Sequence, residues 1–340
     1  MALPLMEKDM VRKEQFLALE KSSNGLVRQE GRRSTTVSEL NSRTFRFFAI
    51  VFMVLSYQLS GQPREFPGLT PLEGHLTQVY FSTGSDEKAV RIANQMDHVI
   101  NFYDDKLMFR PEVILLVLSP DDWGRFTNFP VYGMPHYSNN KTLIVASQNN
   151  DFWDGFIPPQ ESLSADIAEL VSRAYSGDDG KLTMEPFFDL LAIHELGHAY
   201  HIQDNLLMQR KWMGEVFVNL FLHTYIAEQE PQLFPQLTVF PRMVLASTPK
   251  SSLKYTTLKD LEDRYNEIGQ QYPMNYGWYQ CRWHNSAANI YDSGGIQVVK
   301  DLWDVLKSNR EPLDDEKFAL LLSREVHQKL ADVLLKWDEE

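Results

Sequence analysis

Two histidines stand four residues apart, His194 and His198, with Glu195 directly after the first. On a helix, positions i and i+4 share one face one turn apart, so both imidazoles can reach one cation. Glu195 then lies beside that face, where its carboxylate can meet a water on the cation. Zinc lowers the pKa of such a water to about 7, and a neighbouring carboxylate can take its proton.

A zinc site needs a third protein ligand, and counting forward supplies a candidate. The helix can run to about residue 204 or 205, roughly 9 Å beyond His198 at the helical rise. A second helix starting near Arg210 would bring Glu215, roughly 8 Å along an antiparallel return, back to the level of His198. Trp212, Met213, Val216, Phe217, Leu220 and Phe221 would pack that helix down. Glu215 is then a carboxylate in apolar surroundings, costly unless paired or bound to metal. Asn219 follows one turn later on the same face, placed to hold the free ring nitrogen of a ligand histidine. His201 and His223 are the alternatives for the third ligand. Three ligands on one straight helix close a tetrahedron poorly, so both read as supporting or core histidines. The reading implies one Zn2+ per chain.

These residues need a scaffold. Leu76–Phe81 alternates as a strand, Ser85 suits a helix N-cap, and Ala89, Ile92, Ala93, Met96, Val99, Ile100 and Tyr103 follow at helical spacing. Residues 111–118 read as a buried strand stopped by Ser119-Pro120, and 141–147 as another; 132–140 is rich in turn residues. Helical patterns then take over, at about 186–203, 210–228, 258–268, 280–291, 296–307 and 315–337. Strands mixed with a helix, followed by helices only, define an α+β fold with a helical C-terminal part. The division expected is an α+β subdomain over 62–204 carrying the motif helix, and a helical subdomain over 205–340 carrying Glu215.

Ahead of this body, residues 1–42 are polar and without strong periodicity, and read as a poorly ordered extension. Arg43 and Arg46 precede a densely apolar run, Phe47–Leu55, and no charge returns until Arg64. A run of about ten residues suits a signal-peptide core better than a membrane span of about 20. Leu59-Ser60-Gly61 would permit cleavage before Gln62. Residues 43–61 are therefore read as a signal peptide or a single signal-anchor, and the body as exported.

Composition narrows the rest. The chain has 340 residues, 43% hydrophobic and 23% charged, enough for a substantial core and unlike a disordered or polytopic membrane chain. Its single cysteine, Cys281, excludes a disulfide scaffold and a cysteine-ligated metal cluster. Net charge is −13, with +3 on residues 1–61 and −16 on the remainder, so nucleic acid is not an expected partner. The oligomeric state is not readable.

The stretch His194-Glu195-x-x-His198, followed by Glu215 and by a polar residue four further on, resembles the gluzincin metallopeptidases. That resemblance implies a zincin-like sheet above the motif helix, with Lys141–Ser147 as the edge strand along which a peptide or protein substrate lies. Tyr291-Asp-Ser-Gly-Gly295 resembles the Tyr-Glu-x-Gly stretch of the aminopeptidase-N-like branch, which implies Tyr291 as the donor to the oxyanion. The amine-binding Gly-x-Met-Glu-Asn motif of that branch is missing; Tyr132-Gly-Met-Pro-His136 stands roughly in its place without the glutamate. The implied activity is peptide-bond hydrolysis with Glu195 as general base. The alternatives are a silent zincin-fold binding module and a zinc hydrolase of a non-peptide substrate.

Overall fold

The computed structural model describes residues 66–157, 163–177 and 179–339. The extension over 1–42 and the apolar segment over 43–61 lie outside the described residues. The architecture is α+β, as the order of patterns predicts: a mixed sheet in the first half and helices alone after it. Among the described residues no helix is long and apolar enough to cross a membrane.

Five strands, β1 (Thr70–Leu72), β2 (Gln78–Phe81), β3 (Ile114–Leu118), β4 (His136–Ser138) and β5 (Thr142–Ala146), form one sheet in the order β1-β2-β3-β5-β4. The inner three, β2, β3 and β5, are parallel, and β1 and β4 close the two edges antiparallel. Every residue of β3 and β5 is buried, which explains their unbroken apolar runs, because a parallel strand covered on both faces has no polar side. Alternation still sorts them. Leu115, Val117, Leu143 and Val145 enter one core with the motif helix and most of the helical half. Ile114, Leu116, Leu118, Ile144 and Ala146 enter a second core.

The edge differs from the expectation. Residues 142–146 are interior, flanked by β3 and β4. The edge strand is the short β4, inside the segment whose glycine, proline and asparagine content reads as turn. Three residues are too few to print an alternating pattern, and Asn139 and Asn140, both at positive φ, turn the chain directly from β4 into β5.

The first long helix, α1 (Asp86–Leu107), buries the predicted stripe. Ser85 holds the N-cap position without a side-chain cap bond; Asp86 and Glu87 supply negative charge to the first turn instead. Short helices α2 (Pro120–Phe126), α3 (Asp151–Asp154) and α4 (Ala165–Tyr175) lead to α5 (Glu185–Gln203) and α6 (Lys211–Gln229), the two site helices. Then follow α7 (Phe234–Ser247), α8 (Leu258–Gln271), α9 (Pro273–Gly294), α10 (Gln297–Ser308), α11 (Asp315–Glu325) and α12 (Gln328–Leu335). Helix α7 escapes the pattern because Pro235 and Pro241 punctuate it, one in the first turn and one inside. The helix expected over 315–337 is two: Val326 leaves helical geometry and the His327 side chain caps α12.

Helix α5 is anchored before it reaches the motif. Lys88 of α1, buried, pairs with the buried Asp189 and with Glu185 at 2.7 Å, and Arg91 pairs with Asp189 as well. Breaking such a pair from one side strands a buried charge, so the contact fixes how α1 and α5 meet. Cys281 is buried packing in the second core, as its apolar neighbours predict.

Candidate metal centre

Helix α6 crosses back over α5 antiparallel, and the glycine of the motif permits it. A Cβ on Gly197 would lie 3.0 Å from Val218 Cγ1 and 3.1 Å from Val218 Cβ. With hydrogen there instead, the backbones close up and Glu215 reaches the histidines. His194 Nε2 lies 3.4 Å from Glu215 Oε2, and His198 Nε2 lies 4.0 Å from the same oxygen. Ligand atoms about 2.0–2.1 Å from a tetrahedral cation stand about 3.3 Å apart, so the His194–Glu215 pair matches that spacing and the His198–Glu215 pair lies somewhat beyond it. The Glu195 carboxylate lies with His194 and His198 inside a 4.8 Å cluster, giving the pair a second acidic neighbour.

The ring nitrogens that face away from the centre are both engaged. His194 Nδ1 lies 3.3 Å from Asn219 Oδ1, the partner predicted for it. His198 Nδ1 lies 2.9 Å from His201 Nε2. A ring that donates from Nδ1 presents a bare Nε2, the tautomer a cation requires. His201 thus meets the back of His198 and not the centre, which removes it as a third ligand. His223 is two turns past Glu215 and packs on the rings of Phe234 and Tyr291.

The two glutamates differ in charge state. Burial pushes the Glu195 carboxyl up to about 7, a trend the nearby Glu215 reinforces and His194 and the Tyr137 backbone N–H oppose. Burial acts on Glu215 in the same direction, but the His194 and His198 rings and the Gln280 amide outweigh it and hold the carboxyl far below the usual range. Burial pushes the His198 ring down to about 4, leaving it neutral. For His194, burial lowers and the adjoining Glu215 raises, with the carboxylate prevailing. Glu215 is therefore the permanently ionised group that suits a ligand, and Glu195 the one whose proton can move.

The back of the centre comes from residues that the spacing argument misses. The Tyr265 hydroxyl of α8 donates to Glu215 Oε1 at 2.7 Å, and the Gln280 amide of α9 donates to Oε2 at 2.8 Å. Tyr276, one turn before Gln280, accepts from that amide at 3.0 Å and lies 3.4 Å from the Tyr265 hydroxyl. Tyr276, Trp278, Tyr279 and Trp283 of α9 divide between two settings. Trp278, Tyr279 and Trp283 pack with Trp337 in the core, while Tyr276 faces the centre. Gln280 carried a faint signal, a polar residue one turn from Tyr276 in an aromatic run; Tyr265 carried none. From the sheet, the Tyr137 backbone of the edge strand faces Glu195 and favours its ionised form.

Tyr291 is not brought to the centre. Its hydroxyl donates to Glu228 at 2.7 Å. Glu228 lies about 20 Å along α6 from Glu215 at the helical rise. The glycines that follow Tyr291 end a helix: Gly295 at φ 62° stops α9, with its N–H on the Tyr291 carbonyl at 2.7 Å. His284 is buried on α9 against the Phe187 ring.

No protein-family model, no curated protein and no solved structure matches this chain, so the site is read from its own geometry.

Proposed function

We propose that this chain is a zinc-dependent peptidase. One observation carries the reading: the Nε2 atoms of two histidines one helical turn apart lie 3.4 and 4.0 Å from one buried carboxylate oxygen, beside a second carboxylate of raised pKa. His194, His198 and Glu215 would hold the cation. Zinc bound there supplies a Lewis acid that lowers the pKa of a coordinated water to about 7 and polarises a carbonyl.

The chain's own groups account for the remaining work. Glu195 accepts a proton from the attacking water and returns it to the leaving amine, a role matched to a carboxyl near neutrality. The Tyr137 backbone faces that carboxylate and favours its ionised form. The outer edge of β4 has no strand beyond it among the described residues, so an extended peptide can pair there beside Glu195. In place of Tyr291 we assign to Tyr276, which meets Gln280 and Tyr265 beside Glu215, the donation to charge developing on a substrate oxygen.

Glu195→Gln separates binding from chemistry. The variant keeps its metal and its fold and loses hydrolysis of a peptide library by about 10²–10⁴-fold. Undiminished hydrolysis by this variant rules out Glu195 as base. A wild-type chain that binds zinc but cleaves only non-peptide esters or amides moves the reading to another hydrolase class.

A further inference from the structure

Each oxygen of Glu215 has its own neighbours. Oε2 faces both histidine nitrogens and takes the Gln280 amide. Oε1 takes the Tyr265 phenol at 2.7 Å. An ionised carboxylate accepts at about four lone-pair positions, so Oε2 keeps one for a cation beside the amide. Oε1, capped by the strongest neutral donor nearby, is held away.

The helix that delivers the phenol is itself tied down at a break. Arg264 departs from helical geometry, with φ −129° and ψ 24°, so α8 changes course immediately before Tyr265. On one side of the break, the Glu262 carboxylate accepts the backbone N–H of Lys211, the first residue of α6, at 2.8 Å. On the other, Tyr265 reaches Glu215, one turn further along α6. Two contacts that straddle the break fix α8 on α6 and leave the phenol little freedom. Glu262 at the N-terminus of α6 also meets the positive end of that helix.

We propose that Tyr265 is a positioning residue that sets how Glu215 binds the cation: the phenol occupies Oε1, so the carboxylate offers Oε2 alone. The inference rests on the metal reading above. A one-oxygen carboxylate with two imidazoles leaves the fourth tetrahedral position open, whereas a two-oxygen carboxylate crowds it. Without the phenol, Oε1 is a buried carboxylate oxygen lacking its donor, and turning towards the cation is its nearest relief.

The test loads the full chain with Co2+ and reads its visible absorption, which is intense for four ligands and weak for five or six. Wild type gives the intense spectrum. Tyr265→Phe keeps the ring, binds one Co2+ and loses much of the absorption. The melting temperature of the metal-free variant, close to wild type, confirms that its fold is intact. If Tyr265→Phe does not fold, Glu262→Ala removes the contact on the other side of the break and shifts the spectrum in the same direction. Cobalt-loaded wild type and variant with identical spectra overturn the role of Tyr265 and leave the metal reading standing. A wild-type chain that takes up no cobalt and no zinc overturns both.

Discussion

The front and the back of the centre come from different parts of the chain. The front is α5 against α6, where His194, Glu195, His198, Glu215 and Asn219 belong to one helix–loop–helix stretch. The back is α8 and α9, whose Tyr265 and Gln280 lie 50 and 65 residues beyond the glutamate they hold. The front supplies the atoms that would touch a cation. The back decides which oxygen of Glu215 is presented, while the His194 and His198 rings of the front, with the Gln280 amide, keep that carboxylate ionised. Ligand identity is thus a local property of this fold, and ligand orientation a tertiary one.

That contrast can be broken first at the front. Gly197→Ala places a methyl against Val218, whose Cβ cannot rotate away. Overpacking of this kind costs about 1–3 kcal/mol. Alanine's better helix propensity offsets up to about 1 kcal/mol. The melting temperature should fall, and Glu215 should be pushed from the histidines, so zinc affinity falls with it. A rise in melting temperature, as propensity alone would give, contradicts close packing at this crossing.

A change at the back should be felt as orientation. Gln280→Leu keeps the volume and removes the amide from Glu215. Changes to such supporting contacts cost about 10–100-fold in metal affinity or activity. Chelator competition with zinc reads this directly, and the melting temperature of the metal-free protein should move little. An unchanged zinc affinity would place Gln280 in packing only.

The smallest effect is expected where the family resemblance had implied an active residue. Tyr291→Phe removes one partly exposed hydrogen bond to Glu228, far from the centre. Stability should change by no more than about 0.5 kcal/mol, and turnover not at all. A large loss of turnover with zinc retained would restore Tyr291 to the site.

The same contrast explains what the sequence made legible. Periodicity placed α1, α5, α6 and the buried strands, because long amphipathic or fully apolar runs leave a period that can be counted. Glu215 and Asn219 followed from helical rise along two adjacent helices. Tyr265 and Tyr276 could not, since nothing in local spacing says which aromatic residue of a distant helix turns inward. Edge strand β4 was hidden by its length and by the asparagine turn beside it. Tyr291 was misplaced because a glycine pair after a tyrosine serves equally as a helix stop, and in this chain it does.

The proposed centre stands or falls on whether His194, His198 and Glu215 together hold one metal ion. The most direct measurement is elemental analysis of the purified full chain after dialysis against sub-micromolar free zinc, for wild type and for Glu215→Ala. The expected result is one zinc per wild-type chain and a large loss of zinc in the variant, with circular dichroism showing both folded. Full zinc occupancy in Glu215→Ala, or a zinc-free wild type under the same conditions, would contradict it.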